Sequence, residues 1–312
     1  MDKLKIKYVK HDKIRFRKWD ETIMNSFNYN VYSLSSYLNI ITEGNWDALI
    51  MGNYDYIMPI PTKKKFFLKL SLQPKFAQQL GVFSKHKITT DIVLDFIHSI
   101  PQNFKYVELK LNKFNKIDFI DNGEVKINKN YELDLIYNYA KLYEKFSTNT
   151  KRNIKKANKN KVLVVEIDYL TFFRFFKNHF SKQFKSSLSK KDYKILYNLL
   201  QFGIYKQNFI NYFYAAIDEN RTILAAAFFI KFKQKLYYID GISSTNGKNF
   251  SAMFAIFDYV IKLFSEKNLI LDFEGSNIDS VARFYKGFGA IETFYPTIII
   301  NKLGFLSKLK RK

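Results

Sequence analysis

Two carboxylates late in the chain carry the first chemical signal. In Asp272-Phe273-Glu274 the acids flank an aromatic residue, at the end of a β-rich run from Leu269 to Phe273. Side chains two apart on a strand share a face, so the spacing predicts Asp272 and Glu274 on one side of a sheet. Like charges that close raise one pKa, which suits a general base acting on an amine. Structural neutralisation by Arg283 or a lysine is the alternative reading. Glu274 is the preferred base because Gly275-Ser276 marks a strand end, and Asp240, on a neighbouring strand, can join the cluster.

A second signal is cationic. Lys145, Lys151, Arg152, Lys155, Lys156, Lys159 and Lys161 lie in one segment with no acidic residue. On a helix, Lys151, Lys155 and Lys159 share a face with Arg152 and Lys156 beside them, while Ile154 and Ala157 turn inward. Such a face repels itself, and an anionic partner (a nucleotide-linked precursor, tRNA or a phospholipid surface) would relieve it; a plain solvated face is the alternative. The tail Lys308 to Lys312 is a smaller basic cluster that reads as a solubilising end.

Other chemistries drop out. The chain has no cysteine, which removes disulfides, Cys-ligated metals and thiol nucleophiles. His11, His86, His98 and His179 are scattered without a metal-binding spacing, so no metal is expected, and no nucleophile elbow, Walker loop or dinucleotide fingerprint occurs. The net charge of +23 rests on 44 Lys against only seven Arg. That bias, with abundant Asn, Ile, Phe and Tyr, is what AT-rich codons alone would give, with a functional anion or RNA surface as the alternative. A Lys-rich surface offers a diffuse field rather than the planar forks of specific nucleic-acid readers. With 47% hydrophobic and 18% aromatic residues, the chain is folded, and its 312 residues suit two domains. The start has no apolar core of a signal peptide, and the apolar run Ile223 to Ile230 is too short to span a bilayer; a cytoplasmic protein is expected.

The elements that must position these residues form a mixed α/β pattern. To about Lys129, a strand at Leu4 to Val9, a helix within Asp12 to Phe27, and a hairpin of Trp46 to Met51 with Tyr54 to Ile60 around Gly52-Asn53 are expected, Pro59 and Pro61 confining the second arm to an edge. A helix at Thr90 to Ile100 and a strand at Tyr106 to Leu111 follow, and the polar stretch 112–130 reads as a hairpin or a connection. The second half is clearer: helix Thr148 to Asn160, strand Val162 to Ile167, helices Leu170 to Phe184 and Lys190 to Phe202, and strands Asn211 to Ile217, Ile223 to Phe232 and Leu236 to Ile242. A buried helix Phe250 to Glu266, strand Leu269 to Phe273, helix Ile278 to Gly287 and strand Ile291 to Ile300 complete it.

That order, with Lys151-Arg152-Asn153-Ile154-Lys155-Lys156-Ala157, Asp272 to Ser276 and Ala282-Arg283-Phe284-Tyr285-Lys286-Gly287-Phe288-Gly289-Ala290, resembles the GNAT acyltransferase superfamily. Gln73-Pro74 and Gln78 to Ser84 resemble its FemAB-like branch, in which two such domains stand in tandem. The resemblance implies an α/β fold of two GNAT-like domains, residues 1–130 on the acceptor side of a cleft and 131–312 as the acyltransferase domain. It implies transfer of an acyl or aminoacyl group from acyl-CoA or aminoacyl-tRNA to an amine by direct attack, with Tyr285, four residues before Gly289, as general acid. The donor's phosphates would meet the loop Ser243 to Asn249, through Ser244, Asn246, Gly247, Lys248 and Asn249 at a helix N-terminus. The loop departs from the GNAT pattern, holding one Gly where several are usual, and an ordinary capped turn remains open, as does a core role for Tyr285. Lys151, Arg152, Lys155, Lys156 and Lys159 would hold an anionic substrate. A non-catalytic GNAT-derived module, binding RNA or an anionic surface through the same helix, is the competing function.

Overall fold

Apolar residues at strand and helix spacing gather the chain around two separate cores. The computed structural model describes residues 5–183, 188–202 and 209–304, so the tail at Lys308 to Lys312 and the predicted helix end at Phe184 lie outside the described residues. Two compact units result, one of residues 1–128 with 294–312 and one of residues 129–293.

The first unit opens with β1 (Ile6–Val9), α1 (Phe16–Asn25), α2 (Ser35–Thr42), β2 (Trp46–Met51) and β3 (Tyr56–Pro61), followed by β4 (Lys63–Lys65), β5 (Leu68–Leu72), β6 (Phe83–Ser84), α3 (Thr90–His98) and β7 (Phe104–Lys110). One sheet has the order β1-β2-β3-β6. Its hairpin pairs β2 with all of β3, whereas β6 meets β3 only at Tyr56 and Ile57. Pro59 and Pro61 therefore lie where β3 has a free edge, as their missing N–H groups require. Leu49, Met58, Val93, Phe96, Val107 and Leu109 share the core. The helix expected from Asp12 begins only at Phe16, behind a short 3-10 turn at His11–Lys13. Gln73, Gln79 and Gly81 build the loop before β6. Gln73 accepts from Lys110 N at 3.0 Å, Gln79 accepts from Lys113 N at 3.1 Å, and Gly81 takes φ +102 over the Asn115 side chain.

Within the polar stretch, β8 (Glu124–Asp134) is one long strand rather than a hairpin, and it leads out of the first unit. Its inward positions include Asn128 and Asn130, which disguise the alternation. Asn128 Nδ2 donates to Thr297 Oγ1 at 2.7 Å, and Asn130 Nδ2 to Asp272 Oδ1 at 3.0 Å. The chain passes between units within β8 and again within the last strand.

The second unit continues with α4 (Tyr139–Glu144), α5 (Thr148–Lys159), β9 (Leu163–Glu166), α6 (Tyr169–Gln183), α7 (Lys190–Phe202), β10 (Ile210–Ile217), β11 (Ile223–Phe232) and β12 (Lys235–Ser243). Then come α8 (Thr245–Asn249), α9 (Ala252–Phe264), β13 (Ile270–Asp272), α10 (Asp279–Gly287) and β14 (Ile291–Asn301). Strands β9 to β12 are antiparallel neighbours, β12 runs parallel to β13, and β13 antiparallel to the end of β8. In β11 the run Ala225 to Ile230 is buried on both faces. Phe228 meets Phe172 of α6 at 5.9 Å, and Phe229 meets Phe257 of α9 at 5.8 Å. A strand covered by helices on both sides reads as a continuous apolar run. The helix expected from Phe250 is α9, which starts two residues later because Ser251 takes φ +58 between it and the short α8.

Candidate active site

The site begins with a strand that loses its neighbour. Along β12, pairing with β11 continues to Ser243, but β13 is opposite only Lys235, Leu236 and Tyr237. Strand β13 stops at Asp272, and Glu274 (φ +59) and Gly275 (φ +59) turn the chain away. A Cβ on Gly275 would lie 2.2 Å from Lys129 O, so only glycine fits this turn. From Tyr238 to Ser243 no strand among the described residues pairs with β12 on that side, and an unpaired edge offers backbone N–H and C=O groups to an extended or carbonyl-bearing ligand. Within this stretch Phe228 is opposite Asp240 and Phe229 opposite Tyr238, so Ile239 is an extra residue, a β-bulge that re-aims the side chains around it.

Asp240, Tyr238, Glu274 and Tyr285 converge here. Asp240 is partly accessible but deeply set; burial pushes its carboxyl up to about 7, against the 2.8 Å hydrogen bond that Gly241 N donates to its Oδ1. Burial, then the neighbouring Tyr285, Asp240 and Glu274, hold the Tyr238 phenol well above its ordinary range. Gly241 leaves room for that phenol: a Cβ there would sit 2.6 Å from Tyr238 Oη. Tyr285, on α10, is 7% exposed and packs on Phe273 at 4.9 Å and Tyr238 at 6.4 Å. Its phenol is also raised, first by burial and then by Glu274 and Asp240. Both phenols therefore stay neutral near pH 7, whereas Asp240 exchanges a proton in that range, where acid–base catalysis is most effective. The Gly289 that follows Tyr285 by four residues has a structural cause. It takes φ +79 just past α10, where a Cβ would come 2.9 Å from Lys145 Cβ.

The paired carboxylates of the sequence do not share a strand face. Asp272 is 2% exposed and is occupied: Asn130 Nδ2 lies at 3.0 Å, Lys235 Nζ at 3.4 Å, and its Oδ1 accepts from Glu274 N at 3.0 Å. Burial pushes its carboxyl up, and Lys235 pulls it back. Lys235 also donates to Glu132 Oε1 at 3.0 Å; burial disfavours its charge, but Asp272, Tyr237 and Glu132 together hold it above the usual lysine range. This is the structural neutralisation, performed by Lys235 rather than Arg283. Glu274 lies beyond the strand, within electrostatic reach of Tyr238 and Tyr285, so the cluster it joins is that of Asp240.

The loop expected to cradle phosphate is largely self-satisfied. Ser244 N donates to Leu224 O at 2.8 Å, Gly247 N to Ser244 Oγ at 3.0 Å, and Lys248 N to Ser244 O at 3.0 Å. A Cβ on Gly247 would stand 1.9 Å from Leu224 O, so this glycine serves packing of α8 on β11. Lys248 Nζ donates to Gln183 Oε1 at 2.6 Å, and Asn246 O accepts from Phe250 N at 2.9 Å. Asn249 closes this single turn, exposed.

Helix α5 presents its charge as its periodicity predicts. Thr150, Ile154 and Ala157 are buried, and Ser147 caps the start by accepting from Thr150 N at 3.2 Å. Lys151 donates to Glu144 O at 3.0 Å, and Arg152 to Asn149 Oδ1 at 2.8 Å. Lys155, Lys156 and Lys159 are exposed and form no ion pair with any described residue. The helix start lies against the end of α10: Ser147 N donates to Gly287 O at 2.8 Å, and a Cβ on Gly287 would meet Thr150 Oγ1 at 2.3 Å. The cationic helix and the helix carrying Tyr285 are thereby joined.

Tyr238 and the bulge escaped the sequence reading, although an Asp-Gly pair inside an apolar strand is a bulge signal. No group of three or more His, Asp or Glu side chains that would suit a metal ion occurs among the described residues. No helix among them is long and apolar enough to cross a membrane.

No family model matches the chain, and no curated protein matches it. Solved structures do. FemX superposes with a TM-score of 0.66 at 11% identity, covering 96% of this chain and 99% of that one. L-PGS from Bacillus licheniformis gives 0.55 at 11% identity, covering 92% and 91%. The C-terminal domain of a putative lysylphosphatidylglycerol synthetase from Agrobacterium fabrum gives 0.56 at 8% identity, covering 94% and 95%. The chain shares the mixed α/β fold of these structures over nearly its whole length.

Proposed function

We propose that the chain is an acyl- or aminoacyltransferase of the tandem GNAT kind, moving its group from acyl-CoA or aminoacyl-tRNA to an amine. The observation that carries this reading is the unpaired stretch of β12 with Asp240, whose carboxyl stands near 7, at its bulge. The donor's carbonyl lies along the open edge, where backbone N–H groups stabilise the charge that develops on its oxygen. The amine attacks that carbon; a C–N bond forms, and the C–S bond of a thioester or the C–O bond of an aminoacyl ester breaks. Asp240 takes the proton that the amine gives up. Tyr285, kept neutral by its surroundings, donates a hydrogen bond to the leaving atom, and the proton on Asp240 is available to neutralise it. This moves the role of base from Glu274 and Asp272 to Asp240, and leaves Glu274 as the neighbour that keeps Tyr285 protonated. The α5 cations contribute to holding an anionic donor, and the first unit is assigned to the acceptor. We also place the protein in the cytoplasm, where both donors are found.

Titration calorimetry with acetyl-CoA, longer acyl-CoAs and aminoacyl-tRNA tests the reading. Binding of at least one donor in the micromolar range is expected, and no binding to any of them overturns it. The exposed ammonium groups of Lys155, Lys156 and Lys159, which no described residue pairs, favour one competing function, a non-catalytic RNA- or anion-binding module. Donor binding without turnover over any amine would favour that reading.

A further inference from the structure

The hairpin of β4 and β5 ends in the two most exposed large apolar side chains among the described residues, Phe66 at 76% and Phe67 at 83%. Lys65 pairs with Leu68, so these two residues are the whole turn, and Phe66 holds φ +53. Two-residue hairpin turns favour Gly, Asn or Asp at such positions, so both backbone preference and hydration disfavour phenylalanine here. Lys63 and Lys64 precede the tip on an edge strand, exposed. Lysines alone on an edge would be ordinary protection against strand pairing. That purpose calls for charge, however, and leaves two bare phenyl rings unexplained.

Beside the tip, Phe67, Asn103, Lys105 and Lys302 line a recess of about 430 Å³ that contains no carboxylate. Lys69 at its floor is held by Tyr8 Oη at 2.7 Å and by Asp47 at 3.4 Å, and its Nζ stands 4.2 Å from the centre of the Phe104 ring, which anchors the hairpin base. The hairpin base is further seated by Leu68 and Leu70, buried with Tyr106 and Leu303. The result is a fixed apolar tip with cations behind it, which matches the layering of an anionic bilayer: hydrocarbon beyond, phosphates at the rim.

We propose that this hairpin docks the protein on the surface of an anionic lipid membrane. Phe66 and Phe67 enter the acyl boundary, while Lys63, Lys64, Lys105 and Lys302 meet lipid phosphates. Each phenyl ring removed from water is worth roughly tenfold in partitioning, and each lysine near an anionic surface roughly fivefold.

Sedimentation with vesicles tests this in the full chain. Vesicles of phosphatidylglycerol and phosphatidylcholine in equal parts should bind it at least tenfold more tightly than phosphatidylcholine alone, and salt should weaken the binding. The Phe66→Ser/Phe67→Ser variant should lose roughly a hundredfold with an unchanged melting temperature, since both rings are exposed. In a Phe67→Trp variant, emission should shift to the blue on the anionic vesicles and stay unchanged with inorganic phosphate or RNA. Equal binding of the serine variant, no preference for anionic lipid, or a blue shift caused by RNA would each overturn the proposal.

Discussion

The proposed chemistry of the second unit turns on one proton, that of Asp240. Folding places its carboxyl where the charged form is disfavoured, so the folded chain holds that proton more tightly than the unfolded chain. A raised carboxyl pKa makes stability fall as pH climbs from the ordinary carboxylate range through about 7. Asparagine at this position does not ionise. Asp240→Asn should therefore be more stable than the wild type by roughly 1–3 kcal/mol at about pH 8, and the difference should vanish near pH 4. Thermal melts across that range check it, and a variant less stable at every pH would show that Asp240 is charged and paired. The sequence named Asp240, Asp272 and Glu274 as one neighbourhood but gave Asp272 and Glu274 a shared strand face that the structure does not have. Asp272 and Glu274 have the spacing of strand neighbours, yet the strand ends at Asp272 and Glu274 turns left-handed. Pattern cannot reveal where a parallel partner stops, and that point decides which carboxylate meets the open edge.

Elements with strong period were legible, and those whose inward positions are polar were not. Helix α5 shows the first case: Ile154 and Ala157 face in, and Lys155, Lys156 and Lys159 face out, as the spacing requires. Strand β8 shows the second, since Asn128 and Asn130 fill buried positions through hydrogen bonds to Thr297 and Asp272. The short strand β4 is three lysines in a row and also carries no alternating signal. At this scale the α5 face makes its own prediction. Changing Lys155, Lys156 and Lys159 to Gln should leave the fold intact and flatten the salt dependence of tRNA binding, by about 0.7 in the log–log slope for each phosphate no longer neutralised. Binding measured over a salt series reads it directly, and an unchanged slope removes α5 from the anion site.

Over the whole molecule, the charge of +23 proves less informative than its placement. Most lysines are dispersed and compatible with codon bias, whereas two groups sit beside features that give them a use: α5 joined to α10, and the phenylalanine-tipped hairpin of the first unit. The fold class was readable from the order of strongly patterned elements after Tyr131 taken together with the motifs around Lys151, Asp272 and Tyr285. With no cysteine in this sequence, the proposed transfer cannot pass through a cysteine thioester of this chain, which favours direct attack. Treatment with iodoacetamide should leave transfer activity at its full value; inactivation at neutral pH would place an alkylatable nucleophile, such as one of the four histidines, in the reaction.

Single-turnover transfer from a bound donor to an amine, followed from about pH 5.5 to pH 8.5 in wild type and Asp240→Asn, bears on the proposed site most directly. The wild-type rate should rise with unit slope and level off above about 7, where Asp240 has lost its proton. The variant should lose that inflection together with roughly 10²–10⁴ in rate. A wild-type profile without an inflection there, or an Asp240→Asn enzyme with the wild-type profile and rate, would contradict Asp240 as the base beside the open edge of β12.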